Sequence, residues 1–232
     1  IAEINREDLD WAKNADIQKD ENDELAIVHE YIPGFFPKPP GPDSMDIILT
    51  VFNEFLNIFT RILNNEGPDL YDPKDPERYY IRKQEENSEW KDSSRKIIEE
   101  ELSFDVQTDQ EVLEAIASKK KKPHVYQIDY FLLPAPVKED SDTAYFPLIV
   151  LVVDKNTGKI PFYKMLNPIP SLNEAFLEIP DHISGFLLAE PHKPFLIEVR
   201  SEEFHAMLQP ITEASGIQLK SKEKLAAFNA AR

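Results

Sequence analysis

Cysteine is absent from the 232-residue chain, and that one absence removes disulfides, thiolate metal sites, iron–sulfur ligation and cysteine nucleophiles together. Glycine is scarce. Its six residues are scattered, and none carries a strand into a helix at the spacing of a phosphate-cradling loop, so nucleotide binding by that route is excluded. The five histidines form no HxH or HExxH pair, and no GxSxG serine elbow occurs. Also missing is any run near the roughly 20 uncharged apolar residues that span a bilayer. The most hydrophobic stretch carries Glu54 and Arg61 inside it. No targeting segment is read in the residues present, although a start at Ile1 rather than methionine leaves open one removed upstream. The expected location is a bacterial-type cytoplasm, with no membrane partner.

What is present suffices for a core, since 41% of residues are apolar and 10% aromatic. Charge is lopsided. Residues 1–110 hold 27 Asp and Glu against 12 Lys and Arg, a net of −15, whereas residues 111–232 hold 16 against 14, a net of −2. Nucleic-acid affinity draws on cations that neutralise phosphates, so no nucleic-acid partner is expected. The length fits two parts: an acidic, mostly helical region over 1–122 with a Pro-rich connector at 33–42, and an α/β domain over 123–232.

Within the first part, residues 1–30 read as weak helix. Five prolines between Pro33 and Pro42 forbid a continued helix or a central strand, and Phe35 and Phe36 suggest that the segment packs on its own protein. Asp43 is the expected cap of a helix over Asp46–Leu63, which Gly67-Pro68 would stop. Thr50, Asn53, Glu54, Asn57, Thr60 and Arg61 fall on one face. Ile48, Phe52, Phe55, Phe59 and Ile62 cover the other, flanked by Leu49, Leu56 and Leu63. Such a face must be buried, in a core or against a partner, and Phe52, Phe55 and Phe59 are the candidate interaction residues. Asp69–Asp92 reads as a long loop or irregular helix and Ser93–Leu102 as helix. Thr108 and Glu111 form a capping box for a helix to Ser118. The run Lys119–Lys122 then sits at a helix's negative end, where cations are favoured.

Beyond Pro123 the texture is that of strands: Val125–Leu133, Phe146–Val153 and Ile160–Leu166, the last two joined by a turn in which Gly158 takes a positive φ. Ser171 caps a helix through Ile179, which Pro180 interrupts before the apolar run Ile183–Leu188. Phe195–Val199, Glu202–Ser215 closed by Gly216, Ile217–Leu219 and Lys222–Ala231 follow as strand, helix, strand and helix. The order β-β-β-α-β-α-β-α implies a mixed α+β or α/β sheet with right-handed crossovers. It resembles the ribonuclease H-like order of a five-stranded mixed sheet.

Ala144–Gly158, Lys193–Arg200 and Ser215–Leu219 together resemble an uncharacterised bacterial domain that recurs in multidomain proteins, sometimes beside zinc-binding modules. The likeness covers about residues 123–232 and implies no established activity.

Two functions follow as expectations. The first is a non-enzymatic module that binds an unknown protein partner or assembles as a homo-oligomer, with no cofactor. The alternative rests on the ribonuclease H-like order, since nucleases of that type hold magnesium with acids from the first strand, first helix and fourth strand. The candidates there are Asp129, Glu174 (or Glu178) and Glu202 (or Glu198), although strand alternation points Asp129 toward solvent. His182 and His192 bracket a helix end and are a further conceivable metal pair. Ligand sensing, a third possibility, requires an apolar pocket with a few convergent polar groups.

Overall fold

The computed structural model describes residues 28–68, 70, 73–86, 89–96, 109–138 and 143–232. Residues 1–27 of the expected helix over 1–30, and most of that over Ser93–Leu102, lie outside them. The described chain divides into two compact units, one holding Pro37–Gly67 and the residues before Ile32, the other Ile32–Phe36 and Pro68–Arg232.

In the first unit, Glu30 and Lys38 form an isolated antiparallel bridge, and the Ser44 hydroxyl donates to the Glu30 carboxylate at 3.0 Å. Helix α1 runs Pro42–Leu63. It starts earlier than expected because Pro42, with φ already helical and no N–H to lose, occupies its first turn behind Gly41, which makes no side-chain cap; Asp43 lies inside the helix. Its end at Leu63 is where it was expected, although Asn65 (φ 59°) and not Gly67 takes the left-handed conformation that follows it. No residue of α1 is buried. The expectation that its apolar face is covered fails among the described residues of this chain.

The second unit opens with Ile32–Phe36 laid along Tyr145, where Phe36 N donates to the Ala144 carbonyl and Phe146 N to the Gly34 carbonyl, both at 2.8 Å. The Phe36 and Phe146 rings lie 6.0 Å apart, so this stretch does pack on its own protein. Asp69–Asp92 contains a strand instead of loop or irregular helix: β1 (Arg78–Gln84) pairs antiparallel with β2 (Trp90–Lys96). Ser93–Lys96 is therefore strand rather than helix. The hairpin draws on cross-strand polar contacts, Tyr80 Oη to Asp92 at 2.7 Å and Lys91 to Glu85 at 3.6 Å, more than on apolar alternation.

Helix α2 (Gln110–Ser118) is capped by Asp109, whose carboxylate accepts from Glu111 N at 2.8 Å, one residue past the expected Thr108. It buries Leu113 and Ile116 in the main core. Strands β3 (Lys121–Leu132), β4 (Leu148–Asp154) and β5 (Phe162–Leu166) form the expected antiparallel set. Next come α3 (Leu172–Leu177, capped by Ser171), α4 (Ile179–Ala189, with Pro180 in its first turn), β6 (Lys193–Val199), α5 (Glu202–Ser215), β7 (Gln218–Ser221) and α6 (Ala226–Ala231). The closing helix is shorter than expected, because Lys222–Leu225 stay out of it.

The sheet order is β5-β4-β3-β6-β7, with β6 parallel to both β3 and β7. This is the mixed five-stranded sheet that the element order implied. Helices α2, α4 and α5 cover one face over Ile128, Val150, Val152 and Ile197, with Phe204 and Leu208 of α5 in the same core. Helix α6 covers part of the other, over Ile149, Leu151 and Val153.

Candidate functional site

Two places gather the candidate residues. On α1, Phe52, Phe55 and Phe59 are 52%, 60% and 48% exposed, and the rings of Phe55 and Phe59 stack with centroids 6.1 Å apart. Leu49, Leu56, Ile62 and Leu63 extend the same stripe and are exposed as well. Among the described residues no helix is long and apolar enough to cross a membrane.

The other place lies beneath α6. Alternation along β3 sends Tyr126, Ile128 and Tyr130 to the main core and Gln127, Asp129 and Phe131 to the face that α6 covers. Asp129 is therefore buried, at 4% exposure, and not turned to solvent as expected. Arg200 Nη2 reaches its carboxylate at 3.1 Å and also donates to Asn229 Oδ1 of α6 at 2.7 Å. Burial raises the Asp129 pKa above the usual carboxylate value, against the lowering effects of a Tyr130 backbone hydrogen bond and the Arg200 and Arg232 charges.

Parallel pairing of β3 with β6 sets Gln127 beside Glu198. The Gln127 amide donates to Glu198 Oε2 at 2.9 Å, while its oxygen accepts from Phe228 N, in the first turn of α6, at 3.0 Å. Leu225, the residue before α6, makes no side-chain cap, so Gln127 caps that helix from the sheet. Lys155 Nζ donates to Glu198 Oε1 at 2.8 Å. Burial acts to raise the Glu198 pKa, but the bonds from Lys155 and Gln127 with the charges of Lys155 and Lys222 outweigh it and hold the carboxylate below its ordinary value.

The proposed nuclease acids do not converge. Asp129 faces α6. Glu174 is an exposed residue of α3, a helix packed with Ala175 on the main core, and Glu202 is an exposed first-turn residue of α5. Among the described residues no group of three or more His, Asp or Glu is placed to hold a metal ion. His182 pairs with Glu178 at 3.6 Å. His124 Nδ1 lies 3.3 Å from Asp154, whose other oxygen accepts from Asn156 N and Thr157 N and shapes the β4–β5 turn. Both buried acids of the α6 face are occupied by cations of this chain, an arrangement suited to holding a helix down. The Gln127–Glu198 pair was missed at the level of sequence, because the two are 71 residues apart and only strand pairing brings them together.

The lysine run is likewise absorbed by the fold. Lys119 Nζ donates to the carbonyls of Leu187, Leu188 and Glu190 at the end of α4, and Lys121 Nζ to the Gly216 carbonyl at 2.6 Å, past the end of α5.

No curated protein matches the chain at a significant level. The resemblance to an uncharacterised domain holds and reaches upstream of residue 123 into α2: residues 112–232 match the family model described as a domain of unknown function, DUF6930, and the chain belongs to that family.

Proposed function

We propose that the protein is a non-enzymatic interaction module whose contact surface is the apolar face of α1. The observation that carries this reading is a 22-residue helix with an aromatic stripe and no buried residue. Monomeric proteins rarely leave contiguous apolar patches above a few hundred Å² in water, and covering a Phe-sized side chain is worth about 1.5–3 kcal/mol. Three half-exposed rings in line therefore have ample free energy to hold a protein partner. The acidity of the surrounding region argues against nucleic acid at the same surface.

The test compares the full chain with its Phe52→Ser, Phe55→Ser, Phe59→Ser triple variant and adds a photoreactive side chain at Phe55, with Asn57 on the polar face as control. A partner retained by the wild type, lost by a triple variant of unchanged melting temperature, and crosslinked from position 55 but not 57 is the expected result. Equal retention by both proteins would remove the proposal.

A further inference from the structure

The sheet face beneath α6 is covered, yet it carries the composition of a solvated one. Gln127 and Asp129 of β3 and Glu198 of β6 are all buried there, so two carboxylates and an amide floor the contact. A buried ion pair gains little over apolar residues of the same volume and often costs stability, so a permanently covered face is better served by hydrocarbon. The opposite face of the same strands takes that course, with Ile128, Val150 and Ile197 in the main core.

The charges of this face are also met without α6. Arg200, the residue after β6, reaches Asp129 at 3.1 Å, while Gln127 and Lys155, the residue after β4, donate to Glu198 at 2.9 and 2.8 Å. Lifting the helix therefore leaves each carboxylate with its cation. What α6 itself contributes is small: Leu225 and Phe228 packed against Ile149, Leu151 and Val153, the bond from Phe228 N to Gln127, Asn229 Oδ1 accepting from Arg200 at 2.7 Å, and Arg232 over the Phe131 ring at 4.9 Å. Six residues long and without a local cap, the helix does not persist off the sheet. Lys222 N is held by the Val199 carbonyl at 2.8 Å, so the joint that carries α6 is Glu223–Lys224, both exposed and outside helix and strand.

We infer that α6 is a displaceable strap over a preassembled acceptor face, and that this face takes a short helix of the same pattern, Leu followed by Phe three and Asn four residues on, from another molecule. The strap shows what its competitor must supply. Leu and Phe fill the apolar positions, the first turn of the helix meets the Gln127 oxygen, and the Asn oxygen meets Arg200. While α6 occupies the face, an outside helix binds with an affinity scaled down by the fraction of molecules that are open. The surface is a different one from the α1 stripe, and the inference does not rest on the reading of α1.

The probe is a fluorescent peptide of residues 222–232, titrated by anisotropy into the full chain and into its Phe228→Ala variant. The wild type is expected to bind it weakly and the variant, whose own strap is loosened, about tenfold more tightly. A peptide with the same Phe replaced by Ala should bind neither protein. Hydrogen exchange on the variant gives the second readout, with the amides of residues 228, 229 and 232 losing protection while those of β4 keep it. Loss of protection through β4 would make α6 an integral part of the sheet and overturn the inference. An intact sheet that takes up no peptide would overturn it as well, as would equal binding by both proteins, which places the peptide elsewhere. None of these outcomes bears on crosslinking from position 55, so the two readings fail separately.

Discussion

Gln127 and Glu198, neighbours across the parallel pairing of β3 with β6, share a hydrogen bond of 2.9 Å that fixes which way the Gln127 amide points. With its nitrogen committed to the carboxylate, the amide oxygen turns to Phe228 N and completes the first turn of α6. Helix α6 has only six residues and no local cap, too short to persist on its own, so its order depends on this bond and on the packing of Phe228 against Ile149, Leu151 and Val153.

Replacing Gln127 by Leu is therefore expected to loosen the C-terminus before it unfolds the sheet. The change leaves Phe228 N and one Glu198 oxygen unpaired in a buried place, at a cost of about 1–3 kcal/mol. Amide hydrogen exchange is the measurement: residues 228–231 should exchange much faster in the variant while those of β4 stay protected. Uniform acceleration across the sheet would refute a role confined to α6.

Asp129 and Glu198 lie under the same helix and respond to pH with opposite signs. The folded-state pKa of Glu198 is depressed, so it contributes stability that is present above its unfolded value and is lost as pH falls through the folded one. That of Asp129 is raised, so its contribution is fully present below the unfolded value and is lost as pH rises through the folded one. The Glu198→Gln variant is expected to unfold less steeply with acid than the parent, and Asp129→Asn more steeply. Denaturant titrations at a series of pH values between about 3 and 7, a range about the ordinary carboxylate values, would show it. Parallel slopes for both variants would contradict the assignment.

The sheet was legible in the sequence because its elements carry strong local signals: β-branched runs for β4, the Asp154–Gly158 turn, Ser171 as a cap, and Gly216 as the terminator of α5. The β1–β2 hairpin was not, since Arg78–Gln84 and Trp90–Lys96 are mostly polar and are matched across the strands by side-chain partners that local pattern does not reveal. Phe52, Phe55 and Phe59 were legible as a face because helical spacing is local; that the described chain leaves them exposed was not. The α6 face was misjudged at Asp129 for a physical reason. Alternating Gln127 and Asp129 read as a solvated side, and only a helix packed across the strands, with Arg200 and Lys155 as counter-charges, makes that side an interior.

Gly34 has φ of 86°, and a Cβ built there would lie 2.8 Å from Pro168 Cβ. Gly216 has φ of 67°, with only Lys193 Nζ at 3.9 Å near such a Cβ. Gly216→Ala therefore meets conformational strain alone, about 1–2 kcal/mol. Gly34→Ala adds a collision with a proline ring and is expected to cost more, releasing the stretch over Ile32–Phe36 from Tyr145. Proteolytic susceptibility near residue 36 separates the two: it should rise sharply for Gly34→Ala and stay at the parent level for Gly216→Ala.

The lysines at 119–122 divide into two kinds, and that division is itself testable. Lys119 binds carbonyls at the end of α4, and Lys121 binds the Gly216 carbonyl, whereas Lys120 and Lys122 are exposed residues on either side. A cation on the carbonyl end of a helix gains both a hydrogen bond and the dipole term, so Lys119→Met and Lys121→Met should each cost about 1–2 kcal/mol. Lys120→Met and Lys122→Met should stay within about 0.5 kcal/mol of the parent, as surface changes do. A run used to bind phosphates would show another pattern, in which all four lysines contribute alike to a salt-dependent affinity and none matters much to melting. Thermal unfolding of the four single variants distinguishes the two, because only helix capping makes alternate lysines unequal.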